Sequence, residues 1–434
     1  MVREDSKCES DSNGPSMNLE QVKIDPRLPP DISDEIRRVN GQFARVFACS
    51  GKKLTFFKCE PHVIPLKQEF KVKCAAPRRR GSYSEEYIRR WARKELDQGT
   101  YEYCDGAWAS EMHLAFKAGP EGKNDPDFDI RPCGDYVDVN DQCEKMAPEY
   151  PSREQMSSSF AGCVAFYGSD AYQAYRQFLL AAQSRAILAV RTPLGLIQPV
   201  GMPFGYLNAG TVLMHWYRRM LSELPQRQLA SLRNFFDDFL GGVRQLRGEH
   251  GLVASWRRFL ALCDKYSVTL KPSKTHIGFT TATFVGYHVT GLTTQIAEDA
   301  LEPIRQMKEP HDRKSLRSCM GVFVSSSRMI PNYSIRTRPL TRLTGKVDWV
   351  WTEVESKTFQ AIKADVLANY PIFAPRWDLP FQGMTDASDF GMSGWLFQLV
   401  PLERRRTMRD PAPPVSRSDR RAGPRRIWAP FGKV

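Results

Sequence analysis

The chain has no run of about 18 apolar residues, the length that a membrane-spanning helix needs. Its opening residues, MVREDSKCESDSNGPS, have no apolar core of the kind a secretory signal requires. The ten cysteines are scattered, with no CxxC pair and no Cys/His knuckle spacing. That argues against structural zinc and leaves reduced thiols in an intracellular protein, cytoplasmic or nuclear, as the simplest expectation. No internal repeat recurs, which sets aside solenoids and propellers. What is present is an ordinary globular balance, 41% apolar and 26% charged, in a chain long enough for several domains.

The net charge is +13, which suggests a polyanionic partner. Residues 401–434 hold nine Arg and one Lys against three acids. More than half of the excess therefore sits in an Arg/Pro-rich tail expected to be disordered, and the body gives a milder hint of nucleic acid.

Apolar periodicity organises the rest. Residues 1–30 read as disordered, polar and charged. Residues 84–98 read as a helix with Ile88, Trp91, Ala92 and Leu96 on one face and Gly99 as its stop. Residues 112–117 alternate like a strand, and 118–129 read as a loop. Helices are expected at 208–221 and 250–266, a strand at 284–289, and two helical segments over 297–328 broken near Pro310.

The stretch NFFDDFL, 234–240, poses the chemical question. Aspartate is poor in strands, and two adjacent carboxylates repel. Asp237-Asp238 on a hairpin is either a polar turn facing water or a site for a cation. Flanking Phe235, Phe236, Phe239 and Leu240 call for burial, which puts the pair at the edge of a packed sheet. We expect Gly241-Gly242 to supply the positive φ of the turn. A divalent metal with oxygen ligands would resolve the repulsion. Asp170, at the end of the apolar run CVAFY, is the natural third carboxylate, with Tyr175 five residues on.

From these residues the sequence resembles the reverse transcriptase of Gypsy-type LTR retrotransposons. That family's Asp-x-x-x-Gly-Tyr-x-Gln-Ile block is matched by Asp170, Ala174, Tyr175, Gln177 and Phe178. Its Met-Pro-Phe-Gly-Leu-x-Asn-Ala-Pro block appears as GMPFGYLNAG, 201–210, and its Tyr-x-Asp-Asp box as Phe235 to Asp238. RPCGDYVDVN, 131–140, resembles the fingers block, and LKPSKTHIGFTTATFVGYHVT, 270–290, the segment after the palm box. Residues 319–366 follow the post-palm region, and 371–398 resemble the first strands of the family's RNase H domain. The likeness spans roughly 53–400, in motifs of matching order.

The resemblance implies an α+β right-hand polymerase, with fingers, a palm built on an antiparallel sheet and a thumb, followed by an incomplete RNase H-like α/β segment. The expected division is an N-terminal extension over 1–52, partly disordered; fingers and palm over 53–292; a thumb-like helical region over 293–345; a connection with the RNase H start over 346–400; and the basic tail over 401–434. The implied activity is RNA-directed DNA polymerisation by two-metal phosphoryl transfer, from dNTPs onto a primer paired with an RNA or DNA template. No membrane partner is implied. Asp170, Asp237 and Asp238 would hold two Mg²⁺ ions, with Mn²⁺ as an alternative, and Lys274 would donate a proton to pyrophosphate. Lys117 and Arg131 would contact the triphosphate, Tyr175 would gate the sugar, and Phe204 with Gly205 would floor the pocket beside Phe235. Gly286 and Tyr287 match the primer-holding strand, and Asp386 a vestigial RNase H carboxylate.

Several positions depart from the pattern. Phe235 lacks the usual hydroxyl, Ala174 replaces Gly, Val137 replaces Arg, and Gly210 replaces Pro. The later RNase H carboxylates do not follow Asp386, as expected of a truncated or frame-shifted copy. The alternative reading is an inactive relic that retains only non-specific nucleic-acid binding.

Overall fold

The computed structural model describes residues 19–49, 53–116, 130–148, 150–151, 153–330, 332–376, 379–388 and 391–399. They form two compact units. The first holds the described residues up to 151 together with 165–279; the second holds 153–164 and those from 280 onward. The division at 279 falls within the fingers and palm expected over 53–292. The hairpin that begins at 281 is sheeted with a strand at 372–373, not with the first unit's sheet. The expectations for residues 1–18, the loop 118–129 and the tail 401–434 fall outside the described residues.

The first unit runs β1 (Lys23–Ile24), α1 (Pro30–Gln42), α2 (Ser82–Asp97), β2 (Tyr101–Tyr103), β3 (Met112–Phe116), β4 (Ile130–Gly134), β5 (Ala165–Asp170), β6 (Val190–Thr192), β7 (Gly195–Pro199), α3 (Ala209–Leu221), β8 (Leu232–Phe235), β9 (Asp238–Val243), α4 (Leu252–Tyr266) and β10 (His276–Phe279). Its main sheet has the order β1-β10-β5-β9-β8. All neighbours are antiparallel except β1, which lies parallel to β10. Disorder up to residue 30 is thereby corrected: residues 19–30 are ordered because Lys23 and Ile24 complete a sheet edge and Val22 and Leu28 are buried. The helix that follows packs on α4, where the Trp256 indole N–H donates to Asn40 Oδ1 at 2.8 Å.

The helices follow the expected periodicity. In α2, Ile88 and Ala92 are buried and Trp91 packs edge-on against Tyr101 at 5.2 Å. Gly99, at φ +68°, ends the helix in the left-handed region that glycine reaches without penalty. In α4, Leu252, Trp256, Phe259, Leu260 and Cys263 are buried at helical spacing. Trp256 and Phe259 lie against Tyr167 of β5, and Phe259 also meets Phe239 of β9. Each large apolar side chain so buried contributes about 1.5–3 kcal/mol. This packing fixes one face of the sheet and leaves its β5–β9 end free to carry chemistry.

The second unit contains β11 (Thr281–Phe284), β12 (Tyr287–Thr290), β13 (Thr293–Ile296), α5 (Glu298–Arg305), α6 (Arg313–Ser325), α7 (Glu353–Ala368), β14 (Ile372–Phe373), β15 (Gln382–Ser388) and β16 (Gly391–Phe397). The single strand expected at 284–289 is in fact two, because the chain turns at Val285 and Gly286, both at positive φ. The helical break expected near Pro310 lies between α5 and α6. Capping boxes at Asp312/Ser315 and Thr352/Glu355 start α6 and α7. Leu316, Phe323, Phe359, Ile362 and Val366 share one core, so α7 packs with the helices before residue 345. The hairpin β15–β16 agrees with the opening strands of an RNase H-like segment. Among the described residues no helix is long and apolar enough to cross a membrane.

Candidate active site

Strand register brings the acidic residues together. Asp170 ends β5 directly opposite Asp238, which begins β9. Asp237 occupies the turn between β8 and β9, where its carbonyl accepts a 2.7 Å hydrogen bond from the Ala171 N–H. The Asp170 carbonyl accepts from the Lys271 N–H at 2.8 Å, which draws the short turn Pro272–Lys274 toward the same corner.

The positive φ expected at Gly241-Gly242 lies instead at Phe236, φ +51°. A bulky side chain in that region is strained, and tertiary contacts hold it there. The Phe236 N–H and the Asn234 amide both reach Met214 Sδ, at 3.1 and 3.3 Å. The Phe236 ring packs on Tyr150 at 5.4 Å and on Phe235 at 4.6 Å. A Cβ at Gly210 would come within 2.8 Å of that ring, which gives the glycine of α3 a steric reason. Gly241 serves another need: a Cβ there would come within 2.2 Å of the Tyr167 ring.

The electrostatics of the corner are unbalanced. Asp237 is exposed, whereas Asp170 and Asp238 are partly covered. Burial, with the charges of Asp170 and Asp237, pushes the Asp238 carboxyl up to about 8, and Lys274 pulls it only partly back. Burial and then Asp237 likewise raise Asp170, against Lys274, Lys271 and His276. The donor set is carboxylate oxygen, which suits a hard divalent cation, and such a cation would offset the burial and the repulsion that raise Asp238. Among the described residues no three Asp, Glu, His or Cys side chains are already grouped to hold a metal ion.

Tyr175 sits in a short 3₁₀ turn, Ala174–Gln177. Its ring stands edge-on to Phe204 at 5.1 Å, and burial, then the Asp237 charge, lifts its phenol to about 12. Phe204 is exposed. Gly205 takes φ +90°, and its carbonyl accepts from the Asn140 amide at 2.8 Å while Asn140 Oδ1 accepts from the Leu207 N–H at 2.9 Å. Arg131 lies exposed on β4, paired in register with Ala115 of β3. Lys117 is outside the described residues. Asp386 lies on β15 opposite Ser393. In the second unit Gly286 lies in the β11–β12 turn, and the Tyr287 hydroxyl donates to the Ser325 carbonyl at 3.2 Å.

Sequence reasoning assigned no supporting role to three groups. Gln177 is fully buried; its amide donates to the Tyr172 and Thr269 carbonyls and accepts from the Thr269 N–H, at 2.6–2.9 Å. Asn140 ties the fingers block to the loop at Gly205. Glu95 of α2 accepts two bonds from Arg176 Nη1, at 2.8 and 2.9 Å, with the guanidinium 5.7 Å over the Tyr101 ring. A polar residue inside an apolar motif was the available signal for Gln177. Glu95 and Arg176 gave none, since each reads as an ordinary surface charge.

No protein-family model matches the chain. It is 25% identical over 272 residues to the transposon Tf2-3 polyprotein of Schizosaccharomyces pombe, and 24% identical over 272 residues to the Tf2-7 polyprotein of the same organism. These alignments cover 62% of the chain, which spans about a fifth of the length of either relative, 20%. Its fold matches a foamy viral protease-reverse transcriptase in complex with double-stranded DNA, at TM-score 0.72 and 14% identity, covering 88% of this chain and 65% of that one. A second foamy viral structure, in complex with an RNA/DNA hybrid, matches at TM-score 0.66 and 13% identity over 88% and 49%. The chain is thus a distant homologue of Gypsy-type Tf2 retrotransposon polyproteins and has the fingers, palm and thumb fold of a retroviral reverse transcriptase.

Proposed function

We propose that the chain is an RNA-directed DNA polymerase that adds template-matched dNTPs to a primer 3′-hydroxyl. The observation that carries the reading is the corner of the main sheet, where Asp170 faces Asp238 across β5 and β9 with Asp237 in the adjoining turn. Asp170, Asp237 and Asp238 would hold Mg²⁺, or Mn²⁺, through carboxylate oxygens. When bound, such ions neutralise charge at the reacting phosphate and lower the pKa of the attacking hydroxyl. Lys274, electrostatically coupled to Asp170 and Asp238, is the candidate proton donor to the leaving pyrophosphate. Arg131 would bind phosphate oxygens through its planar fork. Tyr175, edge-on to Phe204, would pack under the incoming sugar and exclude a 2′-hydroxyl. Gly205, clamped by Asn140, would let backbone approach the base pair, and Gly286 and Tyr287 would hold the primer.

A second reading, nucleic-acid binding without catalysis, is favoured by Val137. It stands 66% exposed where the resembled family has an arginine. Poly(rA) primed with oligo(dT) separates the two. The polymerase reading expects Mg²⁺-dependent incorporation of dTTP that stops on chelation. Tight primer-template binding with no incorporation in either Mg²⁺ or Mn²⁺ would leave the second reading standing.

A further inference from the structure

The turn that carries Lys274 is tied to Asp170 by a closed ring of bonds that includes two buried hydroxyls. In the β5–β10 pair Gly168 stands opposite His276, and continuing that antiparallel register sets Ser169 beside Thr275. Ser169 and Thr275 are only 1% and 0% exposed, and their hydroxyls lie 2.8 Å apart. The Thr275 hydroxyl also lies 3.0 Å from the Lys271 carbonyl. A carbonyl has no proton to give, so Thr275 donates its only one there and accepts from Ser169. The Lys271 N–H in turn donates to the Asp170 carbonyl at 2.8 Å. Asp170 follows Ser169 in the chain, so the ring Ser169, Thr275, Lys271, Asp170 closes.

Packing alone does not call for hydroxyls here. A buried hydroxyl costs free energy unless it is bonded, and an apolar pair of similar size would fill the same space without needing partners. What the ring adds is position. Successive strand residues face opposite ways, so Ser169 turns into the core while Asp170 faces the corner. The Lys274 N–H donates to the Lys271 carbonyl at 3.1 Å, and the Thr275 N–H to the Pro272 carbonyl at 3.0 Å. The acceptor that anchors Thr275 therefore also sets the Lys274 backbone. Lys274 is exposed, so the turn beneath it decides where its ammonium can reach. Burial raises the Asp170 and Asp238 carboxyls, and Lys274 pulls both back, whereas Lys271 acts on Asp170.

We propose that Thr275, oriented by Ser169, is a positioning residue for Lys274. Their hydroxyl chain holds the turn so that the Lys274 ammonium faces the carboxylate corner, where pyrophosphate departs. The inference rests on the polymerase reading. In the step it serves, the primer 3′-oxygen bonds to the α-phosphorus as the bond from that phosphorus to pyrophosphate breaks. One proton passes from Lys274 Nζ to the leaving oxygen, and the amine regains a proton from water.

The test is single-turnover dTTP addition by the full chain on poly(rA) primed with oligo(dT), in Mg²⁺. Lys274→Ala should slow it by about 100-fold, the worth of a general acid. Thr275→Val should slow it by about tenfold at unchanged dTTP and primer-template affinity, because a misplaced proton donor loses rate rather than binding. Thr275→Ser, which keeps the hydroxyl, should come within about twofold of the unaltered protein, and Ser169→Ala within about threefold, since Thr275 then retains its bond to Lys271. The double variant K274A/T275V should be no slower than Lys274→Ala alone, because the hydroxyl acts only through the lysine. Without any turnover, amide exchange at Lys271 and Lys274 should quicken by about tenfold in Thr275→Val while the β5–β9 ladder keeps its protection. Multiplied losses in the double variant, an unslowed Thr275→Val or unchanged exchange at the turn would overturn the positioning role and leave the polymerase reading intact. No incorporation by the unaltered protein would overturn that reading, and the positioning role with it.

Discussion

Two groups of covered charge lie in the first unit, and they are treated in opposite ways. At the Glu95–Arg176 pair, burial works against the Arg176 charge, but Tyr101 and Glu95 outweigh it and raise its pKa. Glu95 receives two guanidinium bonds and a third from the Thr100 hydroxyl. At the carboxylate corner, like charges face one another, and only Lys274 offsets them at Asp238. The first arrangement is finished by its own side chains and makes a rigid support. The second is unfinished by its own side chains, which is the condition a cation-dependent site needs. The two are linked along the chain, because Arg176 follows Tyr175 directly.

The sharpest way to break this contrast is at the acids. Asp170→Ala, Asp237→Ala and Asp238→Ala should each lower primer extension by about 10³-fold or more, since charge stabilisation at the phosphate is the dominant catalytic term. Primer-template binding should survive. Full activity in Asp237→Ala would sink the assignment.

At the finished pair the large effect should fall on stability. Removing one partner of a buried ion pair costs about 3–5 kcal/mol, whereas replacing both by apolar groups is often near neutral. Glu95→Leu should therefore lower the denaturation midpoint markedly, and Glu95→Leu with Arg176→Met should recover most of the loss. Additive losses in the double variant would show that the two side chains do not act as a pair.

Tyr175→Val tests what that support positions. The rNTP/dNTP incorporation ratio should rise by about tenfold, close to 1.4 kcal/mol of lost discrimination. Lower activity toward both nucleotides at an unchanged ratio, with a reduced melting temperature, would make Tyr175 a packing residue instead.

The smallest effect is in protons. The folded Asp238 carboxyl is raised to about 8, so in the metal-free protein its contribution is favourable at acid pH and is lost as pH rises from about 4, the unfolded value, through 8. Asp238→Asn should flatten that decline. A cation must displace the proton, so Mg²⁺ affinity should increase with pH between about 6 and 8 and calorimetry should record release of about one proton. Affinity independent of pH over that range would remove the link between Asp238 and the metal.

Local signals in the sequence are faithful where structure is local. The periodicity over 84–98 matches α2 closely, and the order of motifs anticipates which strands meet at Asp170 and Asp238. The failures are non-local. Phe236 and Val285 adopt positive φ, which neither residue type suggests; in the first case Met214, Tyr150 and Gly210 hold the conformation. Gly241 looks like a turn residue but makes room for the Tyr167 ring. The polar composition before residue 30 conceals β1, because the partner that orders it lies far along the chain. Glu95 and Arg176 likewise acquire meaning only through each other.

The pairing of β1 with β10 also sets an order of events during synthesis. Lys23 leaves the ribosome before His276, its partner, which follows about 250 residues later. At roughly 5–20 residues per second, the edge strand waits on the order of tens of seconds before the sheet that bears the acids can close around it. Nascent chains stalled before residue 276 should therefore remain open to proteases at residues 19–30, and that sensitivity should vanish once β10 has emerged.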